Sequence, residues 1–159
     1  MNHLSLQEAL KKNFGYTLFR PHQEEIVQSA LSGRDCLVLI PTGGGKSICY
    51  QLPALLMDGV TIVISPLISL MKDQVDGLRS AGLPAAALNS SQNENESISV
   101  VRDCLNGHVK LLYMSPENAL ARAPYLLHVC YCAPGTLCLC RMGNGRFALV
   151  VTKEEEYST

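Results

Sequence analysis

Lys46 and Ser47 are the side chains whose surroundings point most directly to chemistry. They close the stretch Ile40-Pro41-Thr42-Gly43-Gly44-Gly45-Lys46-Ser47. The run before it, Cys36 to Ile40, is apolar and reads as a buried strand. The run after it, from about Ile48 to Met57, reads as a helix. A glycine loop between a strand and a helix N-terminus is a cradle for phosphate. Glycines let backbone N–H groups approach an anion with no Cβ in the way, and the helix dipole favours negative charge at that end. Thr42, Gly43, Gly44 and Gly45 would line the cradle, Lys46 would reach the β and γ phosphates, and the Ser47 hydroxyl would hold Mg²⁺. The strict phosphate-loop pattern has Gly where this chain has Ile40, so the match is one of kind. A glycine-rich turn with no ligand is the alternative, and the flanking strand and helix argue against it.

Composition narrows the setting. At 159 residues the chain fits one domain with a real core, and 47% hydrophobic against 17% charged content excludes a disordered protein. The net charge of −1 provides no general basic field, so any nucleic-acid contact must come from local groups. Met1-Asn2-His3-Leu4-Ser5 lacks the basic flank and apolar core of a signal peptide, and no apolar run approaches membrane-spanning length. Seven cysteines are an odd number, and Cys36 and Cys49 fall in predicted core elements. Reduced thiols in a reducing compartment are expected, with no secretion and no membrane partner: cytoplasmic in a bacterium, nuclear in a eukaryote.

Several elements must position that loop. Ser5-Leu6-Gln7-Glu8 is a capping box opening a helix through about Asn13, ended by Gly15. Pro21 suits the first turn of a second helix running to about Ser32, with Ile26, Val27, Ala30 and Leu31 on its buried face. Val60 to Ile64 reads as a buried strand, followed by Ser65-Pro66 and a helix from Leu67 to about Arg79. Ala85 to Leu88 is a weak strand, Asn89 to Glu96 is turn-like, Ile98 to Leu105 is helical, and Val109 to Met114 is a strand. Strands alternating with helices, with polar motifs at strand C-termini, predict an α/β fold: a parallel sheet flanked by helices, with ligands at the carboxyl ends of the strands.

Four motifs in order now coincide. They are Phe19-Arg20-Pro21-His22-Gln23-Glu24-Glu25; Pro41 to Leu55; Ser65-Pro66-Leu67-Ile68-Ser69-Leu70-Met71-Lys72-Asp73-Gln74-Val75; and Leu112-Tyr113-Met114-Ser115-Pro116-Glu117. With them, residues 1 to about 122 resemble the first RecA-like (P-loop NTPase) motor domain of RecQ-family ATP-dependent DNA helicases. The resemblance implies ATP and Mg²⁺ as cofactors and single-stranded or partly duplex DNA as partner. The intact family unwinds DNA 3′-to-5′ in recombination and repair. Carried over, it places Tyr16, Arg20 and Gln23 around the adenine, where Gln offers a donor and an acceptor and Tyr and Arg can stack. It places Lys46 and Ser47 on the phosphates and Mg²⁺, and Ser65, Pro66, Leu67, Ser115, Pro116 and Glu117 along the DNA backbone. For both Ser-Pro pairs simple helix N-capping is the competing role.

The resemblance stops short. A phosphoryl-transfer motor needs a second acidic motif to hold Mg²⁺ and orient water. In this family that motif is Asp-Glu-Ala-His, expected within about two dozen residues of Glu117. The chain has no Asp-Glu pair; from Ala123 it continues into an unmatched tail, residues 123–159, expected to be a β-hairpin or disordered. Glu154-Glu155-Glu156 follow a strand-like Phe147 to Val151 but lie far along the chain, so a solvated acidic end is the expectation. Cys130, Cys132, Cys138 and Cys140 flank a Pro-Gly turn with Cys-x-Cys spacing; zinc usually takes Cys-x-x-Cys and is not expected here. The expected function is therefore a truncated helicase fragment that binds nucleotide and contributes DNA contacts without unwinding. The competing readings are a non-catalytic binding module or inert truncation product, and a small-molecule kinase, which would not need the Arg20/Gln23 motif.

Overall fold

The computed structural model describes residues 5–34, 36–38, 45–57, 60–65, 68–121, 136–142 and 150–153. Helix α1, Leu6–Phe14, starts on the expected capping box: Ser5 Oγ accepts from the Glu8 amide at 3.2 Å, and the Glu8 carboxylate accepts from the Ser5 amide at 2.8 Å. Gly15 ends it at φ 77°, the left-handed region open to glycine. Helix α2, Gln23–Leu31, begins two residues after Pro21, which lies in a turn and not in the helix. His22 turns the chain into α2 at φ 69°, a conformation that costs a side-chain-bearing residue about 1–2 kcal/mol.

Strand β1, Cys36–Val38, leads toward the glycine loop, and α3, Lys46–Leu56, leaves it. Pro53 sits inside α3 without ending it. Strand β2, Val60–Ile64, is followed by α4, Ile68–Ser80, and then by β3, Ala85–Leu88. Helix α5, Glu94–Leu105, starts earlier than the sequence reading placed it, because Asn93 and Glu96 form a second capping box inside the stretch read as a turn. Asn93 Oδ1 and the Glu96 carboxylate each accept the other residue's amide at 2.9 Å. Strand β4, Leu111–Met114, leads into the short α6, Pro116–Ala121; β5, Thr136–Met142, and β6, Val150–Lys153, come from the tail.

The sheet order is β1-β6-β5-β2-β4-β3. β2, β4 and β3 run parallel, as do β1 and β6; β5 is antiparallel to both of its neighbours, β2 and β6. The predicted parallel α/β architecture is present, with one antiparallel strand contributed by the tail. Side chains alternate between the faces, as the two-residue period of a strand requires. Val63, Leu111 and Tyr113 pack with Tyr50, Ala54, Met71, Val75 and Leu78 of α3 and α4 on one face. Ile62, Ile64, Leu112 and Met114 pack on the other face, against Val100, Val101 and Cys104 of α5 and Ala119 of α6. A third cluster, Ala9, Leu10, Val27, Ile48 and Leu52, joins α1 and α2 to α3. Full burial of a side chain such as Leu10 or Leu52 contributes about 1.5–3 kcal/mol, so these clusters hold α3 and its N-terminus against the sheet.

Candidate functional site

The N-terminus of α3 is contacted by Gln23 of α2 and by Gln74 of α4. Gly45 is its N-cap at φ 81°, and among the described residues no side chain caps the first-turn amides. Lys46 and Ser47, both half-buried, form the start of that turn. The N-terminus of an eleven-residue helix is a ready anion site: its first N–H groups lack intrahelical partners and carry the positive end of the dipole. Ser47 adds a neutral oxygen, a suitable Mg²⁺ ligand, and Lys46 a cation, so the donor set fits a magnesium-bound phosphate chain. Thr42, Gly43 and Gly44 lie outside the described residues, as do Pro66 and Leu67.

Gln23, which the family resemblance places near an adenine, is 4% exposed. Its Oε1 accepts from the Arg20 amide at 2.8 Å, and the Gln23 amide donates to the Arg20 carbonyl at 3.2 Å. Its Nε2 donates to the Gly45 carbonyl at 2.8 Å. Gln23 thus latches the loop before α2 to the end of the glycine loop. Tyr16 is 57% exposed, with its ring available for stacking.

Behind Ser47 lies a polar cluster that sequence reading missed. Gln74 of α4 donates from Nε2 to Ser47 Oγ at 3.3 Å. Its Oε1 accepts from Tyr50 Oη at 2.7 Å, Tyr113 Oη at 3.0 Å and Gln51 Nε2 at 3.2 Å. Gln51 Nε2 also reaches Tyr113 Oη at 3.2 Å, and the two tyrosine rings meet edge to face with centroids 6.5 Å apart. The available signal was polar residues at buried helical positions: Gln51 lies four residues after Ser47 on one face of α3.

Burial keeps this region neutral. It pushes both tyrosine hydroxyls up, Tyr50 well above its ordinary range with the Tyr113 hydroxyl adding to the rise. The Cys49 thiol is pushed from 9.0 up to about 11, chiefly by burial, with a backbone hydrogen bond pulling the other way. A folded-state pKa above the unfolded one contributes stability that is fully present below the unfolded value and lost as pH rises through the folded one. Stability to urea is therefore expected to hold up to about pH 9 and fall between about 9 and 11, which a pH series of unfolding curves would read. At pH 8 Cys49 should also alkylate far more slowly than a small free thiol of ordinary pKa, since a rise of about two pH units leaves roughly 100-fold less thiolate.

The two Ser-Pro pairs end neighbouring parallel strands. Ser65 and Ser115 are 1% and 2% exposed, and the Ser65 amide donates to the Met114 carbonyl at 3.0 Å, so the two strand ends are tied together. Ser115 Oγ accepts from the Asn118 amide at 3.3 Å and from Asn118 Nδ2 at 3.1 Å, the capping role weighed from sequence. Pro116 is half-buried and Glu117 exposed. Ser115→Ala should lower stability by about 1 kcal/mol in urea unfolding, because the hydroxyl is buried and serves as a cap.

Among the described residues, no three His, Cys, Asp or Glu side chains gather as a metal site, and no helix is long and apolar enough to cross a membrane. Cys130 and Cys132 lie outside the described residues, as do Glu154, Glu155 and Glu156.

The described elements form an α/β fold of the RecA-like class, and solved structures that share it include helicases. The backbone superposes on a hypothetical ATP-dependent RNA helicase from Sulfolobus tokodaii with TM-score 0.57 at 20% identity, covering 79% of this chain and 37% of that one. It superposes on the helicase MrfA, solved bound to DNA, with TM-score 0.56 at 19% identity, covering 74% of this chain and 18% of that one. Residues 20–131 match the family model for DEAD/DEAH box helicases. The chain belongs to that family, and its sequence is of the RecQ type. It is 51% identical over 128 residues to the ATP-dependent DNA helicase RecQ of Haemophilus influenzae, covering 78% of this chain and 21% of that protein. It is 52% identical over 117 residues to RecQ of Synechocystis, covering 74% and 24%. With the RecQ-like DNA helicase BLM of Xenopus laevis it shares 44% identity over 118 residues, covering 73% and 9%. The chain thus spans about a quarter or less of the length of these relatives.

Proposed function

We propose that this chain binds ATP with Mg²⁺ at the N-terminus of α3 and presents the loops after β2 and β4 to single-stranded DNA, as the nucleotide-binding lobe of a RecQ-type helicase acting in recombination and repair. The observation that carries the reading is the start of α3: a glycine N-cap at φ 81°, first-turn amides with no side-chain acceptor among the described residues, and Lys46 and Ser47 in the same turn. Lys46 would neutralise the β and γ phosphates, Ser47 would hold Mg²⁺, and Thr42, Gly43, Gly44 and Gly45 would supply the cradle. Mg²⁺, when bound, draws charge from the phosphates. Tyr16, Arg20 and Gln23 would receive the adenine; Gln23 would meet the purine edge by exchanging its bond to the Gly45 carbonyl. Ser65, Pro66, Leu67, Ser115, Pro116 and Glu117 would form the DNA-facing loops, with helix N-termini and backbone amides making sequence-neutral phosphate contacts.

For the 159-residue chain we expect nucleotide binding without appreciable turnover, since it contains no Asp-Glu pair to hold the metal and orient water. The test is thermal unfolding with and without Mg-ATP, joined to an ATPase assay with single-stranded DNA. Saturation at 100 times Kd should stabilise the fold by about 2.7 kcal/mol. No stabilisation at millimolar nucleotide would sink the reading. One observation favours a second reading: β6 runs parallel beside β1, with Cys36 opposite Val150, and the sequence continues from it into Glu154-Glu155-Glu156. DNA-stimulated turnover that both Lys46→Ala and a triple Glu→Gln change at 154–156 abolish would establish that reading instead.

A further inference from the structure

Gln74 does not belong to the phosphate loop, yet its side chain reaches the hydroxyl that would carry the metal. We propose that Gln74 is a positioning residue: it fixes the orientation of the Ser47 hydroxyl for Mg²⁺ and ties that orientation to Tyr113 in β4. The inference rests on the nucleotide-binding reading above.

The geometry distributes the amide between two tasks. Its Nε2 faces Ser47 Oγ at 3.3 Å, while its Oε1 faces Tyr50 Oη, Tyr113 Oη and Gln51 Nε2 at 2.7, 3.0 and 3.2 Å. A carbonyl oxygen has two lone pairs for these three donors. Gln51 Nε2 has a second acceptor at hand, Tyr113 Oη at 3.2 Å, so the two tyrosine hydroxyls can take both lone pairs and the cluster is satisfied throughout. Both tyrosine hydroxyls donate to the Gln74 carbonyl, which keeps its Nε2 turned toward Ser47.

A serine hydroxyl on its own samples three staggered χ1 positions. The Gln74 N–H engages one of the two Oγ lone pairs, which holds one position and leaves the other lone pair for a cation. Selecting one rotamer in three is worth about threefold in affinity, and the hydrogen bond itself extends the range to about tenfold. The same amide connects three elements: α3 through Ser47, Tyr50 and Gln51, α4 through Gln74, and β4 through Tyr113. Tyr113 lies two residues before the buried Ser115 at the end of β4.

The experiment measures affinity of the full 159-residue chain for a fluorescent ADP analogue, in Mg²⁺ and separately in EDTA. Gln74→Met, similar in volume but without an amide, should weaken binding about three- to tenfold in Mg²⁺ and less than about twofold in EDTA. In a Ser47→Ala background the same change should do nothing further. Gln74→Asn, one methylene shorter, keeps an amide near the tyrosines and should show the same magnesium-specific loss. Equal weakening in Mg²⁺ and EDTA would make Gln74 a packing residue and overturn the proposal. So would an undiminished effect in the Ser47→Ala background, or loss of cooperative unfolding in both Gln74 variants. If the unaltered chain binds no nucleotide in either condition, the nucleotide-binding reading fails and takes this one with it. If it binds with magnesium dependence that ignores Gln74, this inference alone fails.

Discussion

Replacing Gly45 with alanine is expected to destabilise the chain by about 2–4 kcal/mol, read by urea unfolding. Two costs add. At φ 81° a side-chain-bearing residue is strained by about 1–2 kcal/mol. The new Cβ would also sit 2.4 Å from Gln23 Nε2 and 3.3 Å from Arg20 Cδ. The glutamine end can swing away, but only by surrendering its hydrogen bond to the Gly45 carbonyl, and Gln23 is nearly fully buried. A buried amide left without its partner costs a further 1–3 kcal/mol or so. Adding Gln23→Ala should recover part of the steric term and none of the backbone term. If Gly45→Ala unfolds at the same urea concentration as the unaltered chain, the latch between the two loops is wrong.

Lys46→Ala should show opposite signs in two measurements. Nucleotide affinity, followed by equilibrium binding of Mg-ADP, should fall about 10- to 100-fold, as expected when a charge-assisted hydrogen bond worth about 1.5–3 kcal/mol is removed. Stability without nucleotide should stay level or rise by a few tenths of a kcal/mol. The reason is local: Lys46 opens α3, where a cation opposes the helix dipole, and no acidic residue in that turn offsets it. A residue unfavourable to its own helix and favourable to an anion is arranged for the anion. A parallel loss of stability and affinity would mean that Lys46 acts on the fold.

Much of the arrangement follows from local pattern. The strand-loop-helix sense around Lys46, the capping box at Ser5, the apolar runs Val60 to Ile64 and Leu111 to Met114, and the ordered helicase motifs all depend on neighbours in sequence, so they can be read there. The start of α2 is not legible locally, because Pro21 is compatible with both a turn and a first helical turn, and the left-handed His22 decides between them. The start of α5 was misjudged because the polar run hides the Asn93/Glu96 capping box.

The sequence by itself determined the class of protein and nominated the residues proposed to face phosphate, because a phosphate cradle is built from contiguous backbone and needs no distant partner. Tertiary structure decided what those residues touch. Gln23 and Gly45, 22 positions apart, share a hydrogen bond, and Ser47 and Gln74 meet from two helices. It also decided that β6 lies beside β1, a neighbour that distance along the chain argues against. The physical reason is that buried polar groups and strand edges must find partners wherever the packed core brings them, and that place is set by the whole fold.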